Sequence, residues 1–211
     1  CNIGDMPVGL NIQLLNSEIG KLKPNIKLTL KANAPIGKYQ HLDAKRKGTD
    51  ATGGGSWQPA ATITMSKIFN TSGIHYLEPR LSINYQVGTA VLVQGLNSYG
   101  GVSDTKGFIY PGNILSVDLA FEYSLTQRWV LACDLYYAHG NKRRFSGNPG
   151  TSAGGVPVKM TALANEKWTL APALEYNFSK NIGIIAGVWF SFAGKNTSQF
   201  TNAMISLNIY I

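Results

Sequence analysis

The strongest constraint on the fold is a strict alternation of side-chain character over residues 114–137. From 115 to 125 every second residue is apolar or aromatic, and the residues between them are polar, charged or small. After a short link at 126–127, the alternation resumes over 129–137. A period of two on both sides of so short a link predicts a β-hairpin with one apolar face and one polar face.

Two environments are compatible with such a hairpin. In a soluble sandwich or small barrel, the apolar face packs inside and the polar face meets water. In a membrane-spanning barrel, the apolar face meets lipid and the polar face lines the interior. Carboxylates recur in the middle of the polar face and aromatic residues cluster at the strand ends, where a membrane–water interface favours them. Each arm also has roughly the 9–11 residues that a tilted strand needs to cross a bilayer, so the pattern favours the membrane-spanning environment.

Six further segments of the chain have the same two-residue period. They are residues 8–14, 26–33, 57–66, 75–87, 167–178 and 202–211. Residues 182–193 are also predicted to form a strand, but they are apolar at nearly every position, so the pattern does not assign its faces. We expect the fourth strand, which starts at His75, to continue through Val91 and Val93, because the odd positions stay mostly apolar. A tight turn is predicted from Asn70 to Gly73. Polar stretches at 35–55 and a basic, glycine-rich stretch at about 142–163 are predicted to be long loops.

The order of strands, long loops and tight turns predicts an all-β protein. From the second strand onward, long loops alternate with tight turns until the last, short loop, as in barrels that have short periplasmic turns and longer external loops. The prediction is an antiparallel transmembrane β-barrel that occupies residues 1–211 as one domain, with about nine strands. Because bacterial single-chain barrels close with an even number of strands, we expect an odd number of strands to precede Cys1 and the complete barrel to have about 10–12.

Composition and charge limit the alternatives. Only 14% of residues are charged, 23 are glycine, and no apolar window is long enough for a transmembrane helix. The net charge is +8, with basic clusters in the predicted loops at Lys45, Arg46, Lys47, Lys142, Arg143 and Arg144. No stacking aromatics accompany these clusters, so nucleic-acid binding is disfavoured. A phosphate-rich lipid surface and ordinary solvated loop charge both explain them.

The two cysteines have different expected roles. Cys133 falls on the apolar face and is expected to pack as a small hydrophobe. Cys1 is either the acylated first residue of a lipoprotein or merely where the chain begins here; no signal peptide precedes it.

A set of charged residues shares the polar face of the predicted strands. If odd residues of the fourth to seventh strands face lipid, the expected pore-lining residues are Glu78, Arg80, Asp118, Glu122, Asp134 and Glu175. Neighbouring strands would bring Arg80 near Asp118 or Glu122, and Lys27 and Lys31 on the second strand would add positive charge. These residues form either a salt-bridged plug that stabilises the barrel or a polar lining that selects solutes.

Aromatic residues near strand ends, together with the last strand, give two further predictions. The expected interfacial aromatics are Trp57, Tyr85, Tyr123, Trp129, Trp168 and Tyr176. The last strand resembles the C-terminal signal that is read by the barrel-assembly machinery, which would be a partner. The residues that carry this resemblance are Ile205, Leu207, Ile209, Tyr210 and Ile211, with Tyr210-Ile211 in place of the usual terminal Phe.

Four short runs resemble the outer-membrane family associated with the meta-pathway of phenol degradation. They are Ala-Pro-Ile-Gly-Lys-Tyr at 34–39, Trp-Gln-Pro at 57–59, Tyr-Pro-Gly-Asn at 110–113 and Ala-Pro-Ala-Leu-Glu-Tyr at 171–176. The runs span most of the chain in the order that the family has them. The resemblance implies a barrel of about a dozen strands that passes small, often hydrophobic or aromatic compounds. It supplies no catalytic residues.

Three functions follow as expectations. The first is a channel or transporter in a Gram-negative outer membrane that takes up small solutes passively, with outer-membrane lipid and lipopolysaccharide around it. The second is a barrel that anchors a larger surface assembly. The third, an outer-membrane lipid-modifying enzyme, is less favoured, because His41, His75 and His139 belong to no catalytic motif and no Gly-x-Ser-x-Gly or Cys/His metal spacing is present. No cofactor or metal is expected.

Overall fold

The alternating segments fold into β-strands throughout the chain. The computed structural model describes residues 3–18 and 21–209, so Cys1, Tyr210 and Ile211 lie outside the described residues. The strands are β1 (Met6–Leu15), β2 (Asn25–Ala34), β3 (Gln58–Ser66), β4 (Phe69–Ser72), β5 (His75–Gln86), β6 (Val91–Gln94), β7 (Lys106–Tyr110), β8 (Ile114–Ser124), β9 (Trp129–Gly140), β10 (Arg144–Asn148), β11 (Asn165–Asn177), β12 (Ile182–Lys195) and β13 (Thr201–Ile209). A single 3₁₀ turn, Ala44–Arg46, is the only helical element in these ranges, and none of the described chain forms a helix long and apolar enough to cross a membrane. The all-β prediction is confirmed.

Nine long strands form one antiparallel sheet, called the main sheet. Its order is β1-β2-β3-β5-β8-β9-β11-β12-β13, so each strand pairs with the next long strand along the chain, and β4 adds a short pairing to β5. The nine segments predicted as strands correspond to these nine long strands, and the four short strands β4, β6, β7 and β10 are additional to the prediction. Within the described ranges, β1 pairs with β2 alone and β13 with β12 alone. The main sheet is therefore open, and the closed barrel predicted from the sequence is not formed.

Strand register keeps the apolar side chains on one face of the main sheet. Leu119 pairs with Leu81 on β5 and with Leu135 on β9, and Leu131 pairs with Leu174 on β11. This apolar face is the more exposed one, since Leu131 and Leu174 are 48% and 41% exposed. The opposite, polar face is more enclosed: Ser116 is 7% exposed and Ala120 is 1% exposed. Such a difference is expected of a sheet that curves toward its polar face.

The predicted continuation of the fourth strand is wrong. β5 ends at Gln86, and Val91–Gln94 forms the separate strand β6 in another sheet. The chain departs at Gly88, where an added Cβ would lie 2.7 Å from the Pro111 side chain. Val91 and Val93 are apolar at odd positions because they are buried elsewhere, at 5% and 0% exposure.

Two predicted turns also differ in position. Asn70 lies in β4 rather than in a turn, and the chain reverses at Gly73, whose φ of 55° suits glycine. The link between β8 and β9 spans residues 125–128 instead of two residues. It is closed by the Thr126 hydroxyl, which accepts hydrogen bonds from the backbone amides of Arg128 and Trp129.

The long connections between β2 and β3, between β5 and β8 and between β9 and β11 fold together at one end of the main sheet. They contribute β6, β7 and β10 to a three-stranded antiparallel sheet of order β10-β7-β6. We call this sheet and the connections 35–57, 87–113 and 141–164 the cap. We call the end of the main sheet that carries it the loop end, and the other the turn end. The cap has its own apolar core, made of Val91, Val93, Ile109 and Met160, with Tyr39, Tyr99, Phe145 and Val158 packed against it.

Hydrogen bonds tie the cap together and to the start of β1. The Asp5 carboxylate accepts from the backbone amides of Gly37 and Gly54, at 2.9 and 2.8 Å. The Tyr99 hydroxyl donates to the Gly54 carbonyl at 2.6 Å. The Arg143 guanidinium donates to the carbonyls of Met160 and Tyr99 and lies over the Tyr99 ring. The predicted loops are thus an ordered layer.

Candidate functional site

All eight charged residues predicted to line a pore lie on the polar face. The register pairs Glu78 with Glu122 and Ser82 with Asp118 across β5 and β8. On the next strands, Asp134 pairs with Ala120 on β8 and with Ala171 on β11, while Glu175 pairs with Val130. Lys27 and Lys31 lie on the same face of β2, opposite Thr64 and Ala60 of β3. These positions form one continuous surface across the main sheet.

Charge on this face is unevenly distributed. The middle strands β5, β8, β9 and β11 carry all five predicted carboxylates and two cations, Arg80 and, toward the loop end, Lys167. Lys27 and Lys31 are separated from them by β3, whose side chains on this face are uncharged. One part of the polar face is therefore acidic and another is basic.

Arg80 contacts the carboxylate of Glu122, with 3.4 Å between Nη2 and Oε1. This confirms the predicted proximity of Arg80 to Asp118 or Glu122 and selects Glu122. It is the one ion pair that the eight residues form within the described structure. A plug held together mainly by salt bridges would pair more of these groups.

Hydroxyl and amide side chains form hydrogen bonds from strand to strand across the polar face. Thr62 donates to Asn84 at 2.9 Å, and Asn84 donates to Ser116 at 3.3 Å. Thr64 and Ser82 lie 3.2 Å apart at their hydroxyl oxygens. Each bond joins neighbouring strands, so the set fixes the side chains of this face in register.

A cavity of about 310 Å³ opens on the polar face between β8 and β13. Asp118 and Asp134 line one side, and Tyr136, Thr169 and Trp189 line the others. The Trp189 indole donates to the Thr169 hydroxyl at 2.9 Å, which fixes the ring in the wall. Sequence reasoning missed Trp189, because β12 is apolar at nearly every position and its facing follows only from its pairing with β11 and β13.

Five of the six predicted interfacial aromatics lie on the apolar face in two bands, and the sixth, Trp57, lies just before β3. At the turn end, Tyr123 pairs with Leu131, two residues from Trp129, and the Trp129 ring lies 4.7 Å from that of Tyr176. At the loop end, the Trp168 ring lies 4.6 Å from that of Tyr137. Tyr85 and Trp57 belong to the loop-end band, since Tyr85 pairs with Leu115 near the start of β8 and Trp57 directly precedes β3.

The described part of the predicted assembly signal also faces outward. Ile205, Leu207 and Ile209 pair with alternate residues of β12 and lie on the apolar face, 77%, 59% and 60% exposed. Tyr210 and Ile211 lie outside the described residues.

The histidines of the main sheet lie on the apolar face, away from the carboxylates of the polar face. The His75 ring stacks on Tyr123 at the turn end, with 6.0 Å between ring centroids. His139 at the loop end lies 3.7 Å from Glu166 and 3.3 Å from the Asn141 side-chain oxygen. Within the described ranges, no group of three or more His, Cys, Asp or Glu side chains is placed to hold a metal ion.

Three ionisable groups of the cap have shifted pKa values. Hydrogen bonds from the Asp43 backbone amide and the Lys38 ammonium lower the pKa of the buried Asp50 carboxyl. Burial raises the pKa of the Tyr99 hydroxyl and lowers that of the Arg143 guanidinium. These groups are bound within the cap by the contacts described above and serve its structure.

Comparison with known families gives no match for the chain, and comparison with curated proteins finds no similar sequence. Any inference about function therefore depends on the geometry of the two faces of the main sheet.

Proposed function

We propose that the chain forms a β-barrel of a Gram-negative outer membrane that passes small solutes along a polar interior. The observation that carries this proposal is the inverted arrangement of the main sheet, whose apolar face is the more exposed one and whose polar face is the more enclosed one in the middle strands. A water-soluble sheet buries its apolar face instead, because burial of apolar surface is the main force that stabilises folding. In a membrane, lipid would cover the apolar face, so these side chains would be removed from water without being buried inside the protein.

The spacing of the aromatic bands supports the same proposal. Leu115 to Tyr123, Trp129 to Tyr137 and Trp168 to Tyr176 each span eight residues. At roughly 3.4 Å per residue this is about 27 Å along a strand. A tilt of about 40° reduces it to about 21 Å across the membrane, close to the apolar band of about 25 Å that outer-membrane barrels present.

Closure of such a barrel has a geometric requirement. Neighbouring strands of the main sheet alternate in direction, so β1 and β13, its first and ninth long strands, run in the same direction. An antiparallel seam between them needs an odd number of further strands. This requirement agrees with the even strand number of bacterial single-chain barrels.

The solute class is proposed from the polar face and from the family resemblance. The wall formed by Trp189 and Tyr136 offers aromatic surface beside polar groups, and aromatic rings favour contact with other rings. This supports passage of small compounds with apolar or aromatic parts, which is what the resemblance to the phenol-degradation family implies. The five carboxylates of the middle strands favour cations over anions.

The folded cap favours a second candidate function, an anchoring protein whose interior is sealed. The cap occupies the loop end and has its own core, which is unusual for loops that serve only as connections. A scaffold of this kind would use the cap to bind other surface proteins and would conduct nothing.

Conductance separates the two candidates. The full chain is refolded from denaturant into vesicles and tested by planar-bilayer recording and by vesicle swelling with uncharged solutes of increasing size. Stepwise conductance and size-dependent swelling are expected of a channel. Correctly inserted, protease-resistant protein that conducts nothing would contradict the channel and favour the scaffold. Failure to insert into any bilayer would contradict both.

A further inference from the structure

A cleft at the loop end of the described structure is basic. It has a volume of about 620 Å³ and is lined by the segment 110–113, by Asn141, Lys142 and Arg144, and by residues 163–164. No carboxylate lines it. Neither Lys142 nor Arg144 forms an ion pair within the described ranges.

The walls of the cleft are fixed by the fold. An added Cβ on Gly112 would overlap the Asn141 carbonyl oxygen, so the two connections that form the floor are in direct backbone contact. Arg144 pairs with Tyr110 across β10 and β7, and its guanidinium lies 5.7 Å from the centre of the Tyr110 ring. A cation, an aromatic ring and two asparagine amides, from Asn113 and Asn141, therefore face one space.

The cleft opens on the same side as the apolar face of the main sheet. The Asn113 side chain donates to the Tyr85 hydroxyl at 2.8 Å, and Asn141 contacts His139. Tyr85 and His139 both lie on the apolar face. The cleft is therefore outside the polar interior that the proposed function uses, and it is a separate site.

The distance from the loop-end aromatic band places the cleft beyond the hydrocarbon. Asn141 follows Tyr137 by four residues, and Ala164 precedes Trp168 by four. Four residues correspond to about 13 Å along a strand, or about 10 Å across a bilayer at a tilt of about 40°. Aromatic bands mark the edge of the hydrocarbon, so this depth is that of lipid headgroups.

The outer face of the cap sheet continues this surface. Leu92 pairs with Phe108, and both are exposed, as is Tyr110. Lys106 and Arg144 lie on the same face as these residues. A face that mixes exposed apolar side chains with cations suits the boundary between acyl chains and anionic headgroups.

We propose that this cleft binds the phosphorylated sugar headgroup of lipopolysaccharide. Lys142 and Arg144 bind the phosphate, while Tyr110 and the amides of Asn113 and Asn141 contact the sugar. A free phosphate ion would leave most of the 620 Å³ unfilled, whereas a sugar phosphate matches the size of ordinary ligand clefts. This inference rests on the proposed function, because it needs the loop end to face the outer leaflet.

Binding of diphosphoryl lipid A to the full chain in detergent micelles tests the proposal. The variant is Lys142→Gln with Arg144→Gln, and the matched control is Lys45→Gln with Arg46→Gln, which changes the same two residue types elsewhere in the cap. We expect the cleft variant to bind at least about tenfold more weakly and the control to bind as the unmodified protein does, since two charge-assisted contacts are lost. A second variant, Arg144→Lys with Lys142→Arg, keeps both positive charges and should retain binding. Binding by this variant would show that the loss in the cleft variant comes from the removed charges and not from misfolding.

Three results would overturn the proposal. One is an equal loss in the cleft variant and the control. Another is equal binding of dephosphorylated lipid A. The third is binding of inorganic phosphate alone as tightly as lipid A, which would make the cleft a simple anion site. Conductance is recorded for the same variants: channels that persist without lipid A binding contradict this proposal alone, and lipid A binding without channels contradicts the proposed function alone.

Discussion

Leu119→Arg is the substitution that tests the facing of the main sheet most directly. Leu119 lies four residues from Leu115 and four from Tyr123, so it is at the midpoint between the two aromatic bands. On a lipid-facing strand, arginine at the midplane costs about 2–4 kcal/mol, and near an interface it costs about 0–1 kcal/mol. We therefore expect Leu119→Arg to lower the free energy of unfolding by about 2–4 kcal/mol and Leu115→Arg by about 0–1 kcal/mol.

The assay is equilibrium unfolding from lipid vesicles in guanidinium chloride, followed by tryptophan fluorescence. Ser82→Arg is the matched control on the polar face, because Ser82 pairs with Asp118 at nearly the same depth. An arginine there has an opposite charge beside it and is expected to change the free energy of unfolding by less than about 1 kcal/mol.

The difference between the effects of arginine at Leu119 and at Leu115 tests whether the apolar face meets lipid. If the apolar face met water, arginine on an exposed position would change stability by no more than about 0.5 kcal/mol at either depth. Equal effects of Leu119→Arg and Leu115→Arg, or a larger effect of Ser82→Arg, would therefore contradict the orientation and with it the proposed function.

Three further predictions concern the polar face and the cap. Arg80→Ala should increase the cation preference of the conductance by roughly twofold, because it removes the cation that contacts Glu122 among the middle-strand carboxylates; an unchanged reversal potential in a salt gradient would exclude Arg80 from the pathway. Asp50 has a lowered pKa in the folded protein, so its stabilisation of the cap is present above the usual carboxyl value of 3.8 and is lost as pH falls below it. Below that pH, proteolysis of the connection 35–57 should be faster. Asp50→Asn should remove this pH dependence, because it weakens the contact with Lys38 at every pH. Arg143→Gln should destabilise the cap by about 1–3 kcal/mol, since the carbonyl of the buried Met160 loses its donor; hydrogen exchange of β6 and β7 measures the loss, and unchanged protection would contradict this role of Arg143.

The main sheet was predictable from the sequence because its strands are long and one-sided. Over 115–125 the alternation is unbroken, so the strand, its facing and the proximity of Arg80 to Asp118 or Glu122 follow from counting residues, and the structure selects Glu122. The facing of β12 did not follow, because both of its faces are apolar. Trp189 could be assigned to the polar face only from the strand pairing, in which Thr169 of the polar face pairs with Ser191 beside a bulge near the loop end.

The cap was not predictable for a different reason. β6 has four residues and β7 and β10 have five, which is too short for a period to be distinguished from chance. Their partners are also far apart in sequence, since Val91 pairs with Ile109 and Tyr110 with Arg144. Alternation in Val91–Gln94 was visible, but extension of the preceding strand explained it equally well. Burial of polar residues such as Thr105 depends on contacts that no local pattern encodes.

The contacts of Asp5 and Arg143 have a consequence for the order in which the protein folds. Asp5 joins the start of the chain to Gly37 and Gly54, and Arg143 joins Tyr99 to Met160. Contacts between residues so far apart in sequence form slowly, because long loops must close first. Alignment of the strands from β3 to β9 brings those loops together. The cap therefore reaches its native packing last, and its protection from exchange should mature after that of the hairpin β8–β9.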